Sequence, residues 1–374
     1  MAQLGQVFPL AEDRSVDLAS VIQELRALWQ GHDDRDDEKS PATRICLLNL
    51  VAVAQEARSA SRASEACTAI TAGYPCRVIM VTADAHASDG IETSISAYCH
   101  PGSGSSKPLC CERIDISASG ASVAQLGWAV TPLLAADVPV FIWWQGDVDP
   151  TDPLYSRLVN HADRLIVDFG SFSQPDQSLR ALEAYQSSSH PAVTDLAWRR
   201  TTQWRELVAS LFDPPAYRPY VQQIAEVQIG FAAGGSHWPH AQASLLGTWI
   251  AERLDWKPQG KFQQTENGWT LEVQTPAGPG RITLQSDALA GTAPGEISSV
   301  VFPQSSALPV GFSVRRSRTG DLIEVQIDRA DDKPLTWRRP RNVYDTVWLL
   351  GQELERPHGS PAFEAVLKVL SEVM

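Results

Sequence analysis

Cysteine is missing from most of this chain. Cys46, Cys67, Cys76, Cys99, Cys110 and Cys111 all fall in the first third of its 374 residues. No two of them stand in a C-x-x-C spacing, which argues against a zinc ribbon and a thioredoxin-type active site. Long apolar runs are absent too: no stretch reaches the roughly 18 to 20 residues that a membrane-spanning helix needs. The opening residues, MAQLGQVFPLAEDRSVDL, carry no basic segment ahead of an apolar run and no small-residue cleavage site, so a cytoplasmic protein is expected. Positive charge is scarce, with 31 Lys and Arg against 44 Asp and Glu and a net charge of −13. That balance disfavours nucleic acid as a partner, because phosphate-backbone binding depends on Lys and Arg releasing counterions. In a reducing compartment the six cysteines read as buried thiols that pack as small hydrophobes.

Several catalytic patterns are also lacking. The nearest approach to G-x-G-x-x-G is Gly102, Gly104 and then Lys107, which misses the third glycine and runs into Pro108 instead of a helix. Gly260-Lys261 is followed by Phe262, so there is no P-loop, and neither H-E-x-x-H nor G-x-S-x-G occurs. His237 and His240 are separated by Pro239, which spoils the helical geometry that would aim both rings at one ion. The acidic stretch Gly31–Ser40 reads as a solvated connector. No cofactor and no metal is expected.

What is present is an ordinary globular composition, 43% hydrophobic and 20% charged, on a chain long enough for two cores. Leu18, Val21, Ile22, Leu25, Leu28 and Trp29 form one apolar stripe, predicting a helix over Ser15–Gln30. Strands follow at 44–53, 76–82, 91–99, 109–116, 138–144 and 165–169, with helices at 55–72, 122–135 and 153–162 among them. Continuous apolar strands such as Val138–Trp144 are buried on both faces, predicting an α/β N-terminal domain with a largely parallel or mixed sheet covered by helices. The polar segment 173–192 reads as a linker between domains 1–172 and 193–374. The C-terminal domain is predicted as α+β, with helices at 195–212 and 242–254, an antiparallel meander through Gly268–Ile327, and closing helices at 342–355 and 361–373.

Trp143 and Trp144 are adjacent in a strand and so point to opposite faces, which leaves one of them available to a partner or a ligand crevice. Arg199, Arg200 and Arg205 can pair with acids of their own helix or meet an acidic partner surface. The basic stretch Arg315–Arg341 reads as exposed charge. Asp147, Asp149, Asp152 and Asp168 lie after strands, where α/β sheets place ligands, so a sugar-phosphate hydrolase or lactonase acting near Asp147 and Asp168 is the alternative. No nucleophile or phosphate loop accompanies them.

The segments PATRICLL from Pro41, PLLAADVPVFIWWQGD from Pro132, ADRLIVDFGSF from Ala162, DLAWRRTTQWRELVASLFD from Asp195 and LLGTWIAERLDW from Leu245 together resemble the OpcA family. The resemblance implies a non-catalytic cytoplasmic subunit that binds glucose-6-phosphate dehydrogenase and promotes its assembly or activity. It also implies thioredoxin-linked redox control, which makes Cys99, Cys110 and Cys111 the redox candidates, with Cys99 pairing with Cys110 or Cys111.

Overall fold

The computed structural model describes Gln23 and residues 43–55, 57–100, 109–188, 192–234, 238, 240–287, 293–329, 332–356 and 359–374. Apart from Gln23, the helix expected over Ser15–Gln30 lies outside these residues, as do the acidic stretch 31–40, the loop 101–108, His237 and Pro239. The chain divides into two compact units. The first comprises Met1–Val167, His190–Thr194 and Asp345–His358; the second comprises Asp168–Ser189, Asp195–Tyr344 and Gly359–Met374.

Along the chain come β1 (Thr43–Arg44), β2 (Asn49–Ala54), α1 (Ala57–Ile70), β3 (Arg77–Asp84), β4 (Gly90–His100) and β5 (Leu109–Ser119). Then follow α2 (Leu126–Val130), β6 (Val140–Gln145), α3 (Pro153–Val159), β7 (Arg164–Val167), α4 (Pro175–Ser187), β8 (Ala192–Asp195), α5 (Leu196–Arg200) and α6 (Thr202–Ser210). The remainder is β9 (Glu226–Ala232), α7 (Ala241–Arg253), β10 (Lys257–Pro258), β11 (Gln263–Thr265), β12 (Gly268–Thr275), β13 (Gly278–Asp287), β14 (Ile297–Phe302), β15 (Val310–Arg316), β16 (Leu322–Arg329), β17 (Asp332–Pro340), α8 (Thr346–Leu354) and α9 (Pro361–Val373).

In the first unit the strands order as β1-β5-β3-β2-β6-β7-β8, with β4 added as an antiparallel hairpin partner of β5. β5, β3, β2, β6 and β7 run parallel. β2 and β7 are buried at every position, as a sheet covered on both faces requires. Between β5 and β8 this is the 3-2-1-4-5-6 order of doubly wound sheets, with its reversal between β2 and β6. Two buried ion pairs brace the unit. Glu112 receives the Arg77 guanidinium at 2.6 Å, and Arg164 lies 3.6 Å from the Glu353 carboxylate on α8 while donating at 2.9 Å to the backbone oxygen of the same residue. The single helix expected over 122–135 is broken into 3-10 turns at Gly120–Gln125 and Thr131–Leu133 flanking the short α2. Pro132 has no N–H to continue an α-helical ladder.

Residues 173–192, read as a linker, carry α4, which belongs to the second unit and buries Leu179 and Leu182. Most of its remaining positions are polar or small, and that exposed side produced the linker-like composition. The helix read over 195–212 breaks at Thr201, whose hydroxyl bonds back to the Trp198 carbonyl at 2.8 Å.

The second sheet orders as β10-β12-β13-β9-β14-β15-β16-β17, with β11 paired to β12. It is largely antiparallel, yet it is not a simple meander. β9 inserts between β13 and β14, parallel to the former and antiparallel to the latter. Val227, Ile229 and Phe231 are wholly buried, and a strand this apolar belongs at the centre of a sheet rather than its edge. β17, unforeseen in the sequence, is the edge strand formed by part of the basic stretch. Pro334, Lys333, Arg338 and Arg339 give that edge the charge and proline that discourage further strand pairing.

Candidate functional site

At the point of strand reversal the first unit has the position where doubly wound sheets hold dinucleotides, between the carboxyl ends of β2 and β6. That role needs glycines in the turn after β2, so that the backbone can approach a pyrophosphate. The turn reads Ala54-Gln55-Glu56-Ala57, and the sequence has no glycine from His32 to Ala72. Instead Gln55 donates to Asp152 at 3.0 Å. Asp152 also caps α3 through the Leu154 N–H at 2.8 Å, while Asp149 accepts from both the amide and the hydroxyl of Thr151, which lowers its pKa. From Val140 to Ser156 there is no lysine or arginine. A carboxylate-lined crest without cations repels phosphate, so these residues do not fit a dinucleotide.

Both tryptophans of β6 are packed inside. Trp143 is 4% exposed and registers between Ala52 of β2 and Ile166 of β7. Trp144 is fully buried, donates to the Asp147 carbonyl at 2.9 Å and meets Tyr155 edge to face at 5.1 Å. A strand covered on both faces buries its neighbours in sequence alike, and alternation alone does not disclose that.

Cys99 and Cys110 stand opposite each other across the β4–β5 hairpin and are joined as a disulfide. Cys111, one residue on, turns to the other face and is buried beside the Thr71 carbonyl. Cys46, Cys67, Cys76 and Cys111 are unbridged, and burial raises the Cys67 pKa to about 12 and those of Cys76 and Cys111 in the same direction. These three thiols are held as inert hydrophobes, while Cys46 is half-buried and the bridge joins the half-buried Cys99 to the wholly buried Cys110.

In the second unit Asp168 follows β7 and accepts both guanidinium nitrogens of Arg200, at 2.9 and 2.8 Å. Asp195 ends β8, is wholly buried and accepts the N–H groups of Phe169, Ala197 and Trp198. Burial, with the charge of Asp168 second, pushes its pKa up to about 8. Arg199 is buried, and Arg205 lies flat on the Trp198 ring at 3.5 Å while donating to the hydroxyls of Thr201 and Thr202. Asp168 is thus tied to a cation rather than poised as a nucleophile. No group of three or more His, Cys, Asp or Glu among the described residues could hold a metal, and no helix there is long and apolar enough to cross a membrane.

The residue that sequence reasoning passed over is Trp128 on α2, 64% exposed with the Arg157 guanidinium stacked on it at 3.0 Å. The available signal was the complete lack of charge from Ile116 to Ala136 around it.

The fold and site define a two-unit α/β chain whose sheet has the strand order of dinucleotide binders and whose crest lacks the residues that hold one. Two family models match it: the glucose-6-phosphate dehydrogenase subunit N-terminal domain over residues 67–184 and the corresponding C-terminal domain over 191–367. The chain belongs to the OpcA family of glucose-6-phosphate dehydrogenase subunits. It is 35% identical to the OxPP cycle protein OpcA of Synechocystis sp. over half of this chain and 39% of that one. It is likewise 35% identical to that of Nostoc punctiforme over 49% of this chain and 39% of the relative. The matched region thus spans well under half the length of these curated relatives. Solved structures with a related course include a transcriptional regulator from Kluyveromyces lactis (7% identity, TM-score 0.44, covering 86% of this chain and 89% of that one). Another is an oxidoreductase from Sinorhizobium meliloti (9%, TM-score 0.45, covering 87% of each).

Proposed function

We propose that the chain is a non-catalytic cytoplasmic subunit that binds glucose-6-phosphate dehydrogenase and promotes its assembly or activity in the oxidative pentose phosphate pathway. The observation that carries this reading is the match to both subunit domains in order, from residue 67 to residue 367. The crest supports it: a turn without glycine, backed by carboxylates that serve as caps, has no means to hold a phosphorylated substrate.

The proposal includes redox control at the Cys99–Cys110 disulfide. A thioredoxin dithiol would attack the bridge and leave as its own disulfide, returning two thiols to the hairpin, with electrons and protons balanced between the two proteins. Activation then requires that one redox form bind the active enzyme more tightly than the inactive one.

The test is size-exclusion chromatography and steady-state kinetics of purified glucose-6-phosphate dehydrogenase with and without excess subunit, oxidised or thioredoxin-treated. Co-elution with a changed substrate response is expected. Separate elution together with unchanged kinetics rejects the function, and identical behaviour of the two redox forms rejects the control.

A further inference from the structure

The edges of the two sheets are blunted, with one exception. In the second sheet β17 carries Lys333, Pro334, Arg338 and Arg339, and at the far side β12 is flanked by β10 and β11, of two and three residues. In the first sheet β1 has two residues and β8 has four, three of them buried. Short strands, charge and proline are the devices that keep one sheet from adding to another. β4 has none of them. It runs eleven residues, Gly90–His100, pairs with β5 position for position without a bulge, and contains no lysine, arginine or proline.

Both ends of β4 are tied down. Asp89, just ahead of the strand, accepts the Ala121 N–H at 2.7 Å, the Ser119 hydroxyl donates to the Ser88 carbonyl, and the Cys99–Cys110 bond holds the other end to β5. The strand is thus fixed in extended form before any further strand arrives, which lowers the ordering entropy of pairing. An antiparallel strand turns every second N–H and C=O away from the neighbour it already has. Among the described residues no backbone group bonds to that outer side of β4. Ile91, Thr93, Ile95 and Ala97 share one face of the strand beside Ile114 and Ile116 of β5, and Ile91 and Thr93 are only half-buried.

We infer that β4 is a self-association edge, pairing antiparallel with β4 of a second copy of this chain across a two-fold axis at Ile95 and joining two first sheets into one. The complementary surface is the strand itself. A two-fold contact is isologous, so the free N–H groups of one copy meet the free C=O groups of the other. A strand from another protein would have to be extended, unpaired and matched in register, and a second copy is all three. With the axis at Ile95, the middle of the strand, every position finds a partner: Ser94 faces the second copy's Ser96, Thr93 its Ala97 and Glu92 its Tyr98. Glu92 is the only Asp, Glu, Lys or Arg in β4, so no like charges are opposed. The two-fold keeps faces in common, and the apolar row of Ile91, Thr93, Ile95 and Ala97 continues across the junction.

Sedimentation velocity of the full, oxidised chain across a range of concentrations tests this, with amide hydrogen exchange of the 90–100 peptide read alongside. A monomer–dimer equilibrium is expected, with exchange over 90–100 slowing as the dimer forms. Ser94→Lys, at an exposed position, should raise the dissociation constant by about tenfold or more, because it sets like charges beside the axis. It should leave the near-UV circular dichroism and the thermal unfolding of the monomer unchanged. An equimolar mixture of Ser94→Lys and Ser94→Glu should recover the dimer, since the charges across the axis are then opposite. A chain that is monomeric at every concentration overturns the inference. So does a dimer whose 90–100 amides exchange as in the monomer, or one whose dissociation constant Ser94→Lys leaves within about twofold. Loss of glucose-6-phosphate dehydrogenase binding in Ser94→Lys, with the unmodified chain monomeric, assigns the edge to a strand of that enzyme and likewise overturns the second copy.

Discussion

Cys99 and Cys110 occupy directly opposed positions on β4 and β5, so one bond ties the two strands beside the connection that joins them, with Cys110 and its neighbour Cys111 both buried. With the bridged residues 11 apart in sequence, the chain-entropy model assigns this crosslink about 3 kcal/mol. Cys99→Ser should lower the oxidised protein's stability by that order in urea unfolding, and should change the reduced protein by less. Equal losses in both states would mean that packing at position 99, not the bridge, carries the effect.

Thiol reactivity should separate along the same line. Cys67, Cys76 and Cys111, with pKa values raised by burial, should resist iodoacetamide at pH 7.5 in the folded chain. Cys99 and Cys110 should label only after thioredoxin or another dithiol has acted. Mass spectrometry of peptides labelled before and after reduction reads both expectations, and early labelling of Cys111 contradicts the first.

Arg77 and Glu112 form a pair buried at both ends, and Arg77 also donates to the Leu133 carbonyl at 2.7 Å. Arg77→Ala leaves a carboxylate 2% exposed without its cation. The expected cost is roughly 3–5 kcal/mol. Arg77→Met with Glu112→Leu, which removes both charges, should recover most of it. Failure to recover would locate the loss in packing rather than in the stranded charge.

Stability should also depend on pH through Asp195 and His240. The Asp195 pKa is raised in the fold to about 8, so between its unfolded value near 3.9 and about 8 the native state holds the extra proton, and stability falls as pH rises. His240 is lowered by burial to about 4; the unfolded chain takes the proton first, and stability falls as pH drops from about 6.5 to 4. Below about pH 6.5 the two slopes oppose each other. From about 6.5 to 8 only the aspartate acts. Asp195→Asn, which keeps an acceptor for the helix cap, should flatten the decline over that upper window in urea unfolding at pH 6.5, 7.5 and 8.5. An unchanged slope would assign the decline to other groups.

Trp144→Ala should cost about 3–5 kcal/mol, because the indole is wholly buried and its N–H is spoken for by Asp147. A folded Trp144→Ala variant of near-normal stability would contradict a core role and restore the residue as a candidate for partner contact.

How much of this could be read from the sequence differed with the physical origin of each feature. The runs Val140–Trp144 and Leu165–Val167 announced themselves because a doubly covered strand is apolar along its buried length. The strand order did not, because adjacency in a sheet depends on which way each crossover turns and not on the pattern of any one strand. β17 hid behind Lys333, Pro334, Arg338 and Arg339, since an edge strand is built from residues that look unlike a strand. For the candidate site the hairpin cysteines were visible as residues, whereas the neighbour in space of Trp128 was not. Arg157 lies on another helix, and only the absent side chain at Gly127 lets it reach the ring.

The carboxylate-lined crest of the first sheet has a metabolic consequence. Sugar phosphates and nicotinamide nucleotides circulate around any enzyme of this pathway, and a scaffold of this strand order with glycines at its first turn would collect them. With Gln55 bound to Asp152 and Asp149 held ionised, that surface turns such anions away. Under the function proposed above, its state would then not report the concentrations of the dehydrogenase's own substrates. Under the redox control proposed above, the hairpin disulfide would carry information that those metabolites do not.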